Sequence, residues 1–392
     1  MSPFERLESL TLSDAERAAI AAAAVHSADF LFCGNRVRIA ANTTHPLDSF
    51  GRIYNPFRLD ATGPGPVITV TCRFAGEAAT YLVADRAYRV RSADLIANPL
   101  PTLAFFIFTR IRSHYLVHAG CVSRGGRGIV LSGASGMGKS TLTAYLVSRG
   151  MGFLSDEVAP ISRATGRVEP FPLHIGIRPG PGEDLVQDLP AADYTLYRDQ
   201  KKLVDVRDLA GAAVRESVPL HAVVFLAQRP SAQVQTAAKF DGLIRVAFLG
   251  VTASFRDELF AETGAERVRE TPFEPDMVAW TLRVPAPATF VSTLYAVARR
   301  HAIPIAALEH EDLDRRDFQK RPELVAIPKS AGVLELIKKI GPQQKKALLD
   351  SEFGGSLPRF VEEVGRLAQP VDFYKLSPGR LDGMIAAVEG LA

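Results

Sequence analysis

An α/β fold is predicted by three adjoining stretches of the sequence. "GIVLSG", ending at Gly133, is a short apolar strand. It runs into the glycine-rich "GASGMGKST", residues 133 to 141. "STLTAYLVSRG" then has helical character and stops on Gly150, a residue type suited to helix C-termini. A further strand, "MGFLS", follows and ends at Asp156–Glu157. Strand, glycine loop, helix and strand in this order are the grammar of a P-loop domain.

The other elements can be read along the chain. Residues 12 to 25 are Ala-rich, with Ser13 and Glu16 at capping-box spacing, which predicts a short helix. "NRVRIAA" and "PVITVTCRF" alternate polar and apolar residues as half-buried strands do, and "TYLVADRAYRVRS" holds two more short strands. Leu100, Leu103, Ala104, Ile107 and Ile111 fit one helical face. Residues 1–112 therefore predict a small N-terminal α+β domain. "YLVHAGCVSR" is expected as a strand, "GGRG" as a turn and "HAVVFLAQR" at 221–229 as another strand, within a P-loop domain over 113–308. "EHEDLDRRDFQKR" is dense in both charges. Val333, Leu336, Ile337 and Ile340 share a helical face that Pro342 is expected to end, and residues 357 to 367 suggest another helix. The span 309–370 thus reads as a charged helical insertion, and 371–392 as a strand and helix returning to the P-loop domain.

Bulk properties narrow the function classes. The 392 residues are 47% hydrophobic and 23% charged, an ordinary globular composition with room for two or three domains. A net charge of +3 does not support nucleic-acid binding, which wants a strongly basic face. Cys33, Cys72 and Cys121 lack metal-ligand spacing and read as reduced thiols. The N-terminus has no apolar core of the signal-peptide kind, and "LPTLAFFIF" is too short to span a bilayer. These features lead to the expectation of a soluble cytoplasmic protein without membrane or nucleic-acid partners; a homo-oligomer is left open.

The glycine-rich stretch carries the chemistry. Gly133, Gly138, Lys139 and Ser140 fill Gly-x-x-x-x-Gly-Lys-Ser, with Ala134, Ser135, Gly136 and Met137 between the glycines. Such a loop turns its backbone N–H groups inward as an anion nest. Lys139 can reach the β- and γ-phosphates of a nucleotide, the Ser140 hydroxyl can ligate Mg²⁺, and Thr141 is placed to touch the α-phosphate. Asp156 lies one helix and one strand further on, where a carboxylate meets the γ-phosphate. There it can take a proton from an acceptor hydroxyl or hold the metal. The chain has no Leu-Ser-Gly-Gly-Gln stretch of ABC ATPases and no Asn-Lys-x-Asp motif of GTPases.

Residues 114–162, "HAGCVSRGGRGIVLSGASGMGKSTLTAYLVSRGMGFLSDEVAPI" with its flanks, resemble the catalytic core of HPr serine kinase/phosphorylase and its wider group of related proteins, which includes lasso-peptide precursor kinases. "SFGRIYNPF", "PFPLHIGIRPG" and "VDFYKLSPGRL" are similar to further segments of that group. The resemblance implies an HPr-kinase-like (PEP-carboxykinase-like) catalytic domain that uses ATP and Mg²⁺ to phosphorylate a serine hydroxyl of a peptide or protein. By position it implies Asp156 as catalytic base and Glu157 as a second, metal-side acid, with His118 of the His118–Ala119 pair near the transferred phosphate. The Glu-Ile-Arg-Gly-Leu-Gly stretch of true HPr kinase/phosphorylases does not occur here, so neither HPr as substrate nor phosphorylase activity is implied.

Weaker candidates lie downstream. Arg178, in "HIGIRPG", stands where a guanidinium could stabilise phosphoryl charge, and a surface arginine before a turn reads equally well. Lys201 and Lys202 could meet phosphate or an acidic substrate. Lys338, Lys339, Lys345 and Lys346 form a basic cluster that is either a solvated helix face or a place for an acidic peptide. Trp280 is expected in a core. A kinase of a small metabolite, or a nucleotide-gated binding protein, would use the same loop.

Overall fold

The computed structural model describes residues 7–60, 67–133, 137–177, 188–190, 202–209, 215–226, 242–249, 251–274, 277–285, 287–301, 303, 305–311 and 321–391. The chain divides into a large unit, Arg6–Gln228 with Phe318–Ala392, and a small one built on Arg229–Asp317.

The large unit begins with β1 (Glu8–Leu10), α1 (Asp14–Ala23), β2 (His26–Phe32), β3 (Asn35–Ala41), α2 (His45–Tyr54), β4 (Arg58–Leu59), β5 (Val67–Ala75), β6 (Ala78–Val83), β7 (Arg86–Val90), α3 (Ala93–Ala97) and α4 (Leu100–Phe108). The capping box of α1 forms: Glu16 N donates to Ser13 Oγ, and Ser13 N donates back to Glu16 Oε2 at 2.8 Å. The strands make one sheet in the order β1-β7-β6-β5-β3-β2-β4, antiparallel except where β3 meets β5. Alternation in β3 buries Val37, Ile39 and Ala41, and the spacing in α2 buries Leu47, Phe50, Ile53 and Tyr54. In α4 it is Phe106, rather than Ala104, that joins Leu100, Leu103 and Ile107 in the core, and the helix stops before Ile111. Phe32 sits in an aromatic knot with Phe50, Tyr54, Phe57 and Phe108. Phe171, from beyond residue 112, joins the same knot 5.9 Å from Phe32, so the N-terminal sheet shares its core with the P-loop part of the chain.

The chain continues through β8 (His114–Val117), β9 (Gly120–Arg124), β10 (Arg127–Gly133), α5 (Lys139–Ser148), β11 (Gly152–Ser155), β12 (Ala159–Ser162), β13 (Arg167–Val168), β14 (Ile175–Ile177), β15 (Lys202–Val204) and β16 (Val218–Leu226). These strands form the unit's second sheet, except β14 and β15, which pair as a two-stranded sheet of their own. β10 pairs antiparallel with β9 and parallel with β16, and β11 pairs antiparallel with the far side of β9. β8 pairs with β12 instead. The expected single strand "YLVHAGCVSR" is therefore two strands in different pairings, broken at His118–Ala119. The break has partners of its own: Ser132 Oγ donates to His118 O at 3.1 Å, and His118 N donates to Lys339 O at 2.9 Å.

The small unit comprises β17 (Gly242–Leu249), α6 (Ala253–Thr263), β18 (Glu266–Glu274), β19 (Met277–Val284), α7 (Pro287–Arg300) and β20 (Ile305–Glu311). Its strand order, β18-β19-β17-β20, and its antiparallel pairings make the β-α-β-β-α-β pattern of ferredoxin-like units. Trp280 lies in its core with Phe248 and Phe255, and its Nε1 donates to Glu270 Oε2 at 3.0 Å. The span 113–308, read from the sequence as one domain, is thus divided near residue 229, and residues 309–311 belong to β20.

The chain returns to the large unit through β21 (Leu324–Ala326), α8 (Lys329–Lys339), α9 (Pro342–Glu352), α10 (Leu357–Leu367), β22 (Asp372–Leu376) and α11 (Leu381–Glu389). β22 runs parallel to β16 on the side away from β10, and β21 flanks it. α8 and α10 lie against one face of the sheet: Val333, Leu336, Ile337, Phe360 and Val364 share a core with Tyr115, Val117, Val223 and Phe225. α5 and α11 cover the other face, with Leu142, Leu146, Met384 and Ile385 against Ile129, Leu131 and Val224. Pro342 does end α8, and it also opens α9, where proline's missing N–H costs nothing. Of the residues read as an insertion, 329–367 are therefore one of the layers that make this an α/β/α sandwich. Among the described residues, no helix is long and apolar enough to cross a membrane, and the three cysteines are free thiols.

Candidate functional site

Strand direction alone assembles the site. β10 ends at Gly133, level with the ends of β16 at Leu226 and β22 at Leu376. β9 runs the other way, so it starts at that edge, directly after His118–Ala119. β11 is antiparallel to β9, so it ends there too, with Ser155 opposite Cys121 and Asp156–Glu157 following. His118, the glycine loop and the two acids reach one edge from three separate stretches. The carboxyl ends of parallel strands are where α/β sheets bind ligands.

The described glycines of the loop have steric reasons for being glycine. A Cβ on Gly133 would lie 2.8 Å from Leu226 O, so only glycine lets β10 lie this close to β16. Gly138, at the N-terminus of α5, has φ +84°, a left-handed conformation that a side chain would strain. Met137 is buried and belongs to the core under α5. Ala134, Ser135 and Gly136 lie outside the described residues.

Lys139 opens α5 and is only 8% exposed. Its Nζ donates to Gly133 O at 2.9 Å, tying the cation to the end of β10. Ser140 and Thr141, both half-buried, occupy the first turn of α5, where the helix dipole favours anions.

Asp156 is 1% exposed, and Gly176 N donates to its Oδ2 at 3.5 Å. Glu157 is half-buried, with Oε2 3.7 Å from His118 Nδ1. That same nitrogen lies 3.1 Å from Glu157 O, in hydrogen-bond range, while 55% of the histidine side chain is exposed to solvent. The carbonyl contact favours the tautomer with hydrogen on Nδ1, which puts the acceptor nitrogen, Nε2, at the far end of the ring.

Several partners of the site escape a reading of motifs. Ser132 is the one polar residue within the apolar run "GIVLSG", and that is the signal it gives. Gly176, in the same "HIGIRPG" that suggested Arg178, supplies an N–H to Asp156; a glycine inside a strand is a known mark of close backbone approach. Arg178 and Lys201 lie outside the described residues. Lys202 pairs opposite Ile177, so β14 and β15 bring it beside the strand that touches Asp156. Next to this pair, Arg207 hydrogen-bonds Asp205 and holds its carboxyl below the usual range. Of the basic cluster, Lys338 is paired with Glu335 at 2.8 Å and Lys346 with Asp350 at 2.9 Å, both on helix surfaces.

The donor set can be tested for a metal. Ser140, Asp156 and Glu157 offer hard oxygens, the ligand type that Mg²⁺ takes. Among the described residues no group of three His, Cys, Asp or Glu side chains forms a self-sufficient metal cage. One or two carboxylates completed by phosphate oxygens are what Mg²⁺ uses in nucleotide sites, so these residues fit it.

No protein-family model matches the chain, and no curated protein matches it. Forty-one solved chains do. Among them is the HPr(Ser) kinase/phosphatase from Coxiella burnetii, 20% identical over 33% of this chain and 70% of that one, with a TM-score of 0.22.

Proposed function

We propose that the protein is an ATP- and Mg²⁺-dependent kinase that transfers the γ-phosphoryl group to a hydroxyl. The observation that carries this reading is the convergence of His118, Gly133 with Lys139, and Asp156–Glu157 on one sheet edge. Each group has a part in in-line phosphoryl transfer. The loop N–H groups and Lys139, once it leaves Gly133 O, hold the phosphates. Ser140 with the two acids would hold Mg²⁺, which when bound neutralises phosphate charge. Asp156 takes the proton of the attacking hydroxyl, and its burial keeps water from competing for that position. His118 presents Nε2 on the exposed side, toward an arriving acceptor.

The acceptor we propose is a serine of a peptide or protein, by analogy with the HPr-kinase-related proteins that the sequence resembles. One observation favours a second reading, a small-metabolite kinase. The helices of 329–367 are committed to covering the sheet, so the charged segment is not surplus surface kept for gripping a chain. Asp156→Asn tests the reaction. It keeps the shape and the contact with Gly176 N but cannot take a proton. ATP should bind as before while transfer falls by about a hundredfold or more. Transfer at the normal rate would sink the assignment of Asp156. Mass spectrometry of acceptors, peptide against metabolite, decides between the two substrate classes.

A further inference from the structure

β8 has β12 along one side. On its other side the elbow between α8 and α9 stands where a strand would. Gly341 N donates to Leu116 O at 3.2 Å, and Val117 pairs with Ile340 as an antiparallel bridge. Gln344 adds what a backbone would otherwise supply. Its Oε1 accepts from Leu116 N at 2.9 Å, and its Nε2 donates to His114 O at 2.9 Å and Ile111 O at 3.0 Å. Gln344 is only 4% exposed, and a buried glutamine is tolerated because these bonds satisfy its amide. The ladder ends on the site: His118 N donates to Lys339 O at 2.9 Å.

His118 is consequently held at three points. Its carbonyl takes the Ser132 hydroxyl, its ring meets Glu157 O, and its N–H goes to Lys339 O. The first two partners belong to the site edge. The third belongs to the helical layer, and it fixes the backbone at the point where β8 ends and the chain turns into β9.

We infer that the elbow Lys339–Gln344 is a strap that positions His118, so that the helical layer sets the aim of the site histidine. The effect on phosphoryl transfer rests on the kinase reading; the effect on His118 itself does not.

Gly341 permits a narrow test. Its φ of −48° and ψ of 127° suit proline, and Ile340 is already extended at ψ 132°, as a residue before proline must be. No atom lies within 4 Å of a Cβ built there. Gly341→Pro thus removes the N–H that Leu116 O accepts and sets the proline Cδ against that oxygen, which drives the elbow off β8, while Gly341→Ala keeps the bond. In the full-length protein, amide exchange followed residue by residue by NMR should be at least about fivefold faster at His118 in Gly341→Pro, the change that losing one hydrogen bond carries before the displaced elbow is counted, and unchanged in Gly341→Ala. Transfer should slow by about the same factor with the KM for ATP unchanged. In a His118→Ala background Gly341→Pro should cause no further loss.

Unchanged exchange at His118 overturns the strap. So does an equal loss of transfer in the His118→Ala background, because the elbow would then act by another route. If the wild-type chain transfers no phosphoryl group, the kinase reading falls, and the exchange measurement alone still decides whether the strap exists.

Discussion

Gly120→Ala probes how tightly the helix after the glycine loop is held to the sheet. Gly120 opens β9 opposite Leu131, under the middle of α5. A Cβ added there would come well inside 3.0 Å of Thr143 Oγ1, and would stand 3.5 Å from Thr143 Cβ and 3.7 Å from Asp156 Oδ1. Thr143 is fully buried and β-branched, so it yields poorly and α5 must lift. Overpacking of this kind costs about 2 kcal/mol. Thr143 Oγ1 is also buried without a hydrogen-bond partner among the described residues. Thr143→Ala therefore loses one packed methyl, about 1 kcal/mol, and sheds a polar group that was costly to bury. In the double variant the new methyl faces the residue-143 Cβ and Asp156 Oδ1, both at ordinary van der Waals distances. The double variant should be more stable than the two single changes add up to, by about 2 kcal/mol. Urea unfolding of the four proteins measures this. If Gly120→Ala is as stable as the parent, or the cycle is additive within about 0.5 kcal/mol, then α5 does not pack on β9 as described.

Two further predictions concern charge. Lys139→Ala removes the cation held at Gly133 O and should abolish binding of a fluorescent ATP analogue while leaving the circular dichroism spectrum intact; unchanged affinity would take the loop out of the site. His114 is buried with its Nδ1 near Ser113 Oγ, and desolvation pushes its pKa down to about 4, the attraction of Glu169 at 3.9 Å being too weak to offset burial. Its folded pKa lies below the unfolded value of about 6.5, so the unfolded chain binds the extra proton, and stability should fall as pH drops from about 6.5 toward 4. His114→Asn should flatten that part of the stability profile, and an unaltered slope would mean that other groups produce it.

The glycine loop was legible because its information is local. Gly133 and Gly138 answer to backbone needs of a strand that turns tightly into a helix, and Asp156 comes at a distance set by one helix and one strand. His118 was only half legible. The residues of "YLVHAGCVSR" favour extended structure on both sides of the histidine, and nothing within the stretch marks a break. What breaks it is Lys339 O and Ser132 Oγ, far away in sequence or one strand on. The ferredoxin-like unit was hidden for a similar reason. Its strands and helices look like those of the surrounding α/β sheet, and only the order β18-β19-β17-β20 separates it.

The helical segment shows how charge can mislead about role. Its sequence is rich in lysine and glutamate, and exposed charge reads as surface waiting for a partner. Yet a helix is placed by its apolar stripe, and the stripes of α8 and α10 meet Tyr115, Val117 and Phe225 across the central sheet. Gly332 is a measure of the fit: a Cβ there would overlap the ring of Phe373 on β22. Arg163 ties the same layer down, with Nε 2.6 Å from Glu363 Oε1, while Tyr115 donates to that carboxylate at 2.5 Å. Removing residues 309 to 370 would strip one face of the sheet and release His118 N as well, so lost activity in such a deletion would say nothing about how an acceptor is gripped. Exposed positions on these helices are the sounder probe. Replacing Lys346, whose side chain is 78% exposed, changes charge on the surface of α9 and leaves the strap through Gly341 and Gln344 in place, so it can separate recognition of an acidic acceptor from support of the site.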